Sequence, residues 1–288
     1  MALRPNPTLR QLRLGAELRR MREQAGLGGS QLARALGINP AHVTQMESGR
    51  TGVSVERLRT IAALCMCVNE PLIDALADII TDRDKGGWWE EYRGRLAQDF
   101  LEIAEIEGRA HGLSTYTMAF IPGLLQTTAY ASAVFARSVP SLPQHEVDLR
   151  TSFRMQRQKI VRSGEVPYAA YIHEAALRMQ FSGARVQAEQ LGALIESSER
   201  ANNSVRVVLF DVDTLPLTHE NFTYVEGPIP ELDTAQMDSG VGNVLFDAPA
   251  HTARFRSLLA RIDSAALSED ESRDFIRSIK KDMESRYA

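Results

Sequence analysis

The sequence predicts a mainly α N-terminal domain of five helices followed by an α+β domain, and three observations carry that division. Up to residue 81 every segment reads as a helix or a short connection between helices. From residue 115 onward, short runs with the composition of strands alternate with helical ones, the pattern of a sheet flanked by helices. The charge divides in the same way: residues 1–69 hold ten Arg and four Glu, 10 − 4 = +6, so the other 219 residues carry −4 − 6 = −10. The boundary is set at DRDKGG, residues 82–87, a charged and glycine-bearing linker that separates a domain at 1–81 from one at 88–288.

In the first domain, residues 1–8 bear Pro and Arg and are expected to be loose, and helix 1 runs from Leu9 to Ala25. Leu32, Ala33 and Leu36 share a face of the next helix, with Ala33 small where a further helix must cross closely. Gly37 ends that helix, because a residue with positive φ is cheapest there as glycine. Asn39 suits an N-cap and Pro40 the first helical position, where its missing N–H is no loss. The helix from Pro40 to Ser48 turns Val43 and Met46 to the core and is closed by Gly49. Ser54 caps a fourth helix carrying Arg57, Leu58, Ile61 and Leu64, and Glu70–Thr81 forms a fifth. Residues 27–50, LGGSQLARALGINPAHVTQMESGR, therefore read as a helix-turn-helix able to lay its second helix in a DNA major groove. A plain αα-hairpin inside a helical bundle is the alternative.

On the helix-turn-helix reading, Asn39, Ala41, His42, Thr44 and Gln45 form the outer, base-contacting face. Gln45 could bond both edge groups of an adenine and Thr44 could touch a thymine methyl, while Asn39 could do similar work or merely cap the helix. Arg19, Arg50 and Arg57, with Arg10, are candidate phosphate contacts, which position without reading sequence; each could equally be a solvated helix-face charge. One such helix offers few base contacts, so a homodimer docked on half-sites about 34 Å apart is expected.

With Leu14–Gln24 before it and Ser54–Leu64 after it, this segment resembles the lambda-repressor-like (Cro/xenobiotic-response-element, XRE) DNA-binding family. The resemblance rests on Leu18, Arg22, Gly26, Leu32, Ala33, Gly37, Ile38, Val43, Glu47, Gly49, Leu58 and Ile61. It implies double-stranded DNA as partner, a transcription-regulating role, and a structural pair between Arg22 and Glu47. It also implies a phosphate contact at the start of the second helix. That position is Gly28 or Gly29 here, which leaves Ser30, Gln31 or a backbone N–H to make it.

In the second domain the apolar spacing over Trp88–Ala110 predicts one long amphipathic helix. Residues 115–121, 166–172, 205–210, 221–226 and 241–247 read as strands, and 124–137, 144–162, 173–180, 185–200 and 253–265 as helices. Ser268 with Glu271 makes a capping box for a last helix. Trp88, Tyr92, Tyr116, Phe120, Tyr171 and Phe210 could line a ligand pocket or simply be core. The ordered segments IPGLLQTTAYA (121–131), FRMQRQKIV (153–161), YIHEAALR (171–178), QLGALIE (190–196), VRVVLF (205–210) and NFTYVE (221–226) resemble the C-terminal domain of actinobacterial WhiJ-like or antitoxin-like regulators. Genes of that group tend to sit beside small acidic proteins. The resemblance implies a regulatory or dimerisation domain, expected to sense a ligand or a protein partner. Its alternative is an antitoxin-like module binding a small acidic protein, with DNA binding secondary.

Catalysis is not expected. His173-Glu174 is followed by Leu177 where a zinc helix needs its second His, no glycine-rich phosphate loop occurs, and no serine sits in a nucleophile elbow. The six histidines show no metal-ligand spacing, and Cys65 and Cys67 read as core, the alternative being a C-x-C metal pair. Neither cofactor nor metal is expected. No apolar run approaches the roughly 18 residues of a membrane span, and the N-terminus lacks the apolar segment of a secretory signal. A cytoplasmic, nucleoid-associated protein with no membrane contact is the expectation.

Overall fold

A computed structural model describes residues 3–82, 86–214, 221–239 and 242–285. The chain divides into two compact units, 1–91 and 92–288. Of the expected linker at 82–87, residues 83–85 lie outside the described residues.

The first unit holds α1 (Leu9–Gln24), α2 (Gly29–Ala35), α3 (Pro40–Glu47), α4 (Val55–Leu64) and α5 (Glu70–Thr81). Local chemistry starts these helices. Thr8 and Gln11 form a capping box, and the side chains of Asn39, Ser54 and Asn69 each accept a first-turn backbone N–H. Leu18, Met21, Leu32, Ala33, Val43, Met46, Leu58, Ile61 and Leu76 are buried together as its core. Cys65 is buried among them, and burial is the main cause that raises its thiol above the ordinary value. Ahead of α1, the Arg4 N–H donates to the Arg50 carbonyl at 2.9 Å.

Past α5 the sequence pattern promised a helix over Trp88–Ala110. The chain instead makes a 3₁₀ turn at Trp88–Tyr92, passes Gly94 in the left-handed region (φ 76°), and only then winds α6 (Gln98–Glu107). The second unit continues with α7 (Thr128–Ala136), α8 (Gln144–Arg157), α9 (Lys159–Ser163), α10 (Glu174–Arg178), α11 (Ala184–Ser198), α12 (Pro249–Ala265) and α13 (Glu269–Glu284). Its strands are β1 (Gly112–Thr117), β2 (Tyr168–His173), β3 (Asn203–Val208), β4 (Phe222–Glu226), β5 (Thr234–Ser239) and β6 (Gly242–Phe246). They form one mixed sheet in the order β3-β2-β1-β4-β5-β6, parallel from β3 to β1 and antiparallel from β1 to β6. The architecture is therefore five helices followed by an α+β unit.

Several boundaries move. The strand expected at 115–121 begins at Gly112 and ends at Thr117, so its apolar end leaves the sheet. The helix expected at 124–137 begins at Thr128, because Gly123–Leu125 is a 3₁₀ turn and Thr127 is the N-cap. The helix expected at 144–162 breaks at Gln158. Strand β5 was not anticipated at all.

The sheet is covered on both faces. Leu113, Tyr168, Ala170, Ile172, Val205 and Val207 pack with Tyr130 of α7, Leu191 and Leu194 of α11, and Ile276 and Ile279 of α13. Tyr116, Tyr171, Val208, Phe222, Tyr224 and Ala235 pack on the opposite face with Phe255 and Ile262 of α12. Among the described residues no helix is long and apolar enough to cross a membrane.

His173 ends β2 and caps α10, its Nδ1 accepting the Ala175 N–H at 3.2 Å. Burial lowers its pKa, against a smaller raising effect of Glu174. The unfolded chain therefore takes up the proton first, so stability is held above the ordinary value of about 6.5 and lost as pH falls below it. Thermal melts followed by circular dichroism should show this acid-side loss, and His173→Asn, which keeps a capping acceptor, should flatten it. Equal slopes for the two proteins would refute the role.

Candidate nucleic-acid interface

The helix-turn-helix is built by backbone chemistry at its joints. Gly37 adopts φ 65°, turning the chain out of α2, and the Ile38 N–H reaches back to the Ala33 carbonyl at 3.0 Å. The Asn39 side chain then accepts the Ala41 N–H at 2.8 Å and starts α3. Ala33 is buried, as the close crossing of α2 and α3 requires.

Three contacts fix α3 against α1. A Cβ added to Gly15 would lie 2.4 Å from the Glu47 carbonyl oxygen and 2.8 Å from that of Met46, so the end of α3 rests directly on the α1 backbone. Gly49, at φ 70°, makes a matching approach, where a Cβ would lie 2.7 Å from the Gln11 carbonyl oxygen. Arg22 of α1 holds Glu47 bidentately, Nε to Oε1 at 2.6 Å and Nη2 to Oε2 at 2.9 Å, and also donates to the Leu27 carbonyl at 2.9 Å. The hydrogen bonds to Glu47 hold the Arg22 guanidinium above its ordinary pKa.

With α3 held this way, Asn39, Ala41 and Thr44 are exposed and His42 and Gln45 half-exposed, while Val43 and Met46 are buried. Asn39 spends its side-chain oxygen on the cap, which leaves only its amide N–H groups for a ligand. Gln31 likewise spends its oxygen on the Gly28 N–H at 2.6 Å and retains its amide donors, beside an exposed Ser30.

The ten arginines of residues 1–69 are not equally available. Arg13 and Arg20 pair with buried Glu17, Arg10 with Asp82 at 2.6 Å, and Arg59 with Asp74 at 2.8 Å. Arg19 is held by Glu23 at 2.7 Å, though both are well exposed. An exposed pair of this kind is screened by water and contributes little, so it yields readily to a phosphate. Among the described residues Arg34, Arg50 and Arg57 are in no ion pair, so their charge is open to a polyanion. Arg34, exposed on α2, was not singled out from the sequence, where nothing separates it from the arginines that are paired internally.

Of the six aromatic residues considered for a ligand pocket, Trp88 belongs to the first unit and the other five to the second. Trp88 lies edge-on to Trp89, and Tyr92 packs edge-on against Phe153 and donates to Gln156 at 3.0 Å. Tyr116 and Tyr171 belong to the core facing α12, with the Tyr171 hydroxyl donating to Asp263 at 2.7 Å. Phe210 is exposed beside His173. Of the six, Phe120 alone lines the cavity described below.

A tight two-helix turn, an outward helix face pinned from behind and unpaired arginines beside it define a helix-turn-helix domain of the DNA-binding regulator class. Residues 13–76 match the family described as a helix-turn-helix domain. Residues 100–278, more than half of the chain, match the family described as a domain of unknown function (DUF5753), and the chain belongs to that family. No curated protein and no solved structure matches it.

Proposed function

We propose that this chain is a sequence-specific transcriptional regulator that binds double-stranded DNA as a homodimer, its second unit dimerising and sensing a small molecule, with no catalytic step of its own. The observation that carries the reading is the outward face of α3, with Thr44 exposed and Gln45 half-exposed above a buried Val43 and Met46. The N-terminal residues of a docked α3 would read base edges, with Gln45 suited to an adenine and Thr44 to a thymine methyl. Arg50 and Arg57 would position the unit on phosphates, joined by Ser30 and Gln31 at the start of α2 and by Arg19 once released from Glu23. The acidic second unit keeps the rest of the chain off nucleic acid. The likeness of its ordered segments to WhiJ-like regulators supports a sensing role.

Footprinting on the DNA around its own gene, with quantitative binding at several salt concentrations, tests the reading. A protected pseudo-palindrome with half-sites about 34 Å apart is expected. Gln45→Ala should cost roughly 1–3 kcal/mol and relax one base position. Arg50→Ala should weaken all sequences alike and reduce the salt slope by about 1. Wild-type binding by both variants would remove α3 from the interface.

A further inference from the structure

Between α6, α8 and the β1-β4-β5-β6 half of the sheet lies a cavity of about 320 Å³, wholly within the second unit. That is the low end of small-molecule sites, about 300–1,000 Å³. Its floor is polar where a sheet face under helices is normally apolar. Thr115 and Thr117 of β1, Thr223 of β4 and Gln236 of β5 line it, and the two β1 threonines and Gln236 are buried. Thr115 and Thr223 bond each other at 3.1 Å, but the Thr117 hydroxyl is buried without a partner. Buried polar groups are ordinarily satisfied, so an orphan on a cavity floor marks a place where a ligand's atoms belong.

The cavity also holds a cation with no counter-ion. Arg154 and Arg157 both line it from α8. Arg157 is neutralised by Glu107 through two hydrogen bonds, at 2.6 and 2.8 Å. Arg154 is in no ion pair among the described residues. Its guanidinium stacks 4.3 Å over the Phe135 ring, and Nη1 donates to Gln126 at 2.6 Å. Gln126 is itself held by its bond to the Ile121 carbonyl. Nε is buried with no acceptor. Burial, and then the charge of Arg157, pull this guanidinium down to about 9. One face and one edge of the fork are thus fixed, and donors remain for a planar anion, the geometry a carboxylate matches. Besides Glu107, which Arg157 holds, two carboxylates line the same cavity, Asp99 of α6 and Asp238 of β5. Among the described residues Asp238 accepts from Gln236, at 2.7 Å, and Asp99 from the Phe100 N–H, at 3.0 Å, each through one oxygen. They disfavour a polyanion such as a nucleotide and favour a ligand with a positive group as well.

We infer that this cavity binds a small zwitterion of the amino-acid type, its carboxylate on Arg154 and its ammonium toward Asp99 and Asp238. The assignment rests on the second unit being the sensing unit and supplies the chemistry of what it senses. The test uses the full-length protein with the twenty L-amino acids as probes, beside propionate, propylamine and inorganic phosphate. Binding is read by melting temperature and by the Arg154 Nε–H resonance, identified through its loss in Arg154→Lys. One or a few amino acids are expected to raise the melting temperature and shift that resonance, with propionate and propylamine far weaker. Arg154→Lys, which keeps the charge but loses the fork, should weaken binding about tenfold or more. No response to any amino acid at millimolar concentration, or an equal response to phosphate, overturns the proposal. The DNA reading is tested separately. Binding at Arg154 that leaves operator affinity unchanged would stand against the sensing role alone, and loss of operator binding with the amino-acid response intact would stand against the DNA reading alone.

Discussion

Gly15→Ala is expected to destabilise the first unit by about 2 kcal/mol and to abolish specific DNA binding, although alanine is the better helix former. In the middle of a helix the exchange should gain about 1 kcal/mol from propensity alone. The opposing effect is larger. The new Cβ would meet the Glu47 carbonyl oxygen at 2.4 Å and the Met46 carbonyl oxygen at 2.8 Å, and both are backbone atoms at the end of α3 that no rotamer change can move. Overpacking of this kind costs about 1–3 kcal/mol and occasionally more. The only relief is for α3 to back away from α1, which would pull Glu47 off Arg22 and tilt the face that carries Thr44 and Gln45. Gly29→Ala is the control, since its Cβ meets nothing within 4 Å at the start of α2. Urea unfolding of the two variants should diverge sharply, and operator binding by Gly15→Ala should fall below that of the parent protein. A Gly15→Ala protein as stable as Gly29→Ala would mean that α1 and α3 are not in backbone contact.

The same glycine shows what the sequence could and could not reveal. The joints of the helix-turn-helix were legible because each depends on one residue's own preference: Gly37 and Gly49 at positive φ, Asn39 as cap, Pro40 at the first helical position. Gly15 was not read as a contact, because its reason lies 32 residues away at Glu47; a glycine spent in the middle of an otherwise good helix was the only signal. In the second unit, short-range preference competed with tertiary contacts and lost more often. The apolar spacing from Trp89 to Ile106 is present, but Gly94 divides it between a 3₁₀ turn and α6. Strand β5, TAQMDS, alternates Ala235 and Met237 with Gln236 and Asp238, but it is short and poor in the β-branched and aromatic residues that mark a strand in sequence. Gln236 and Asp238 stand there because one face of β5 lines the cavity rather than a core. The aromatic residues show the same dependence on tertiary context. Tyr116 and Tyr171 are the large side chains the core on the α12 face needs, whereas the cavity is lined by threonines, glutamines and arginines whose convergence only the sheet order creates.

Arg157→Met should destabilise the second unit by about 3–5 kcal/mol, the range for removing one partner of a buried ion pair and stranding the other. Both side chains are about a tenth exposed, 10% for Arg157 and 8% for Glu107, so water offers little relief. Burial works against the charge of Arg157, yet Glu107's charge and its two hydrogen bonds outweigh it and hold the guanidinium above its ordinary pKa. The double variant Glu107→Leu/Arg157→Met should recover most of the loss, since an apolar pair of similar volume replaces a buried ion pair at little net cost. The single variant losing less than about 1 kcal/mol in urea unfolding would show the pair to be solvated. Arg154→Met, one helical turn away, gives the sharper comparison. It removes a half-buried cation that lacks an ion-pair partner among the described residues, so the same physics makes it neutral or stabilising despite the lost stacking on Phe135. Two arginines of one helix, facing one cavity, should therefore respond in opposite directions. The one whose removal improves stability is the one whose presence folding does not explain, and a bound carboxylate supplies the missing reason.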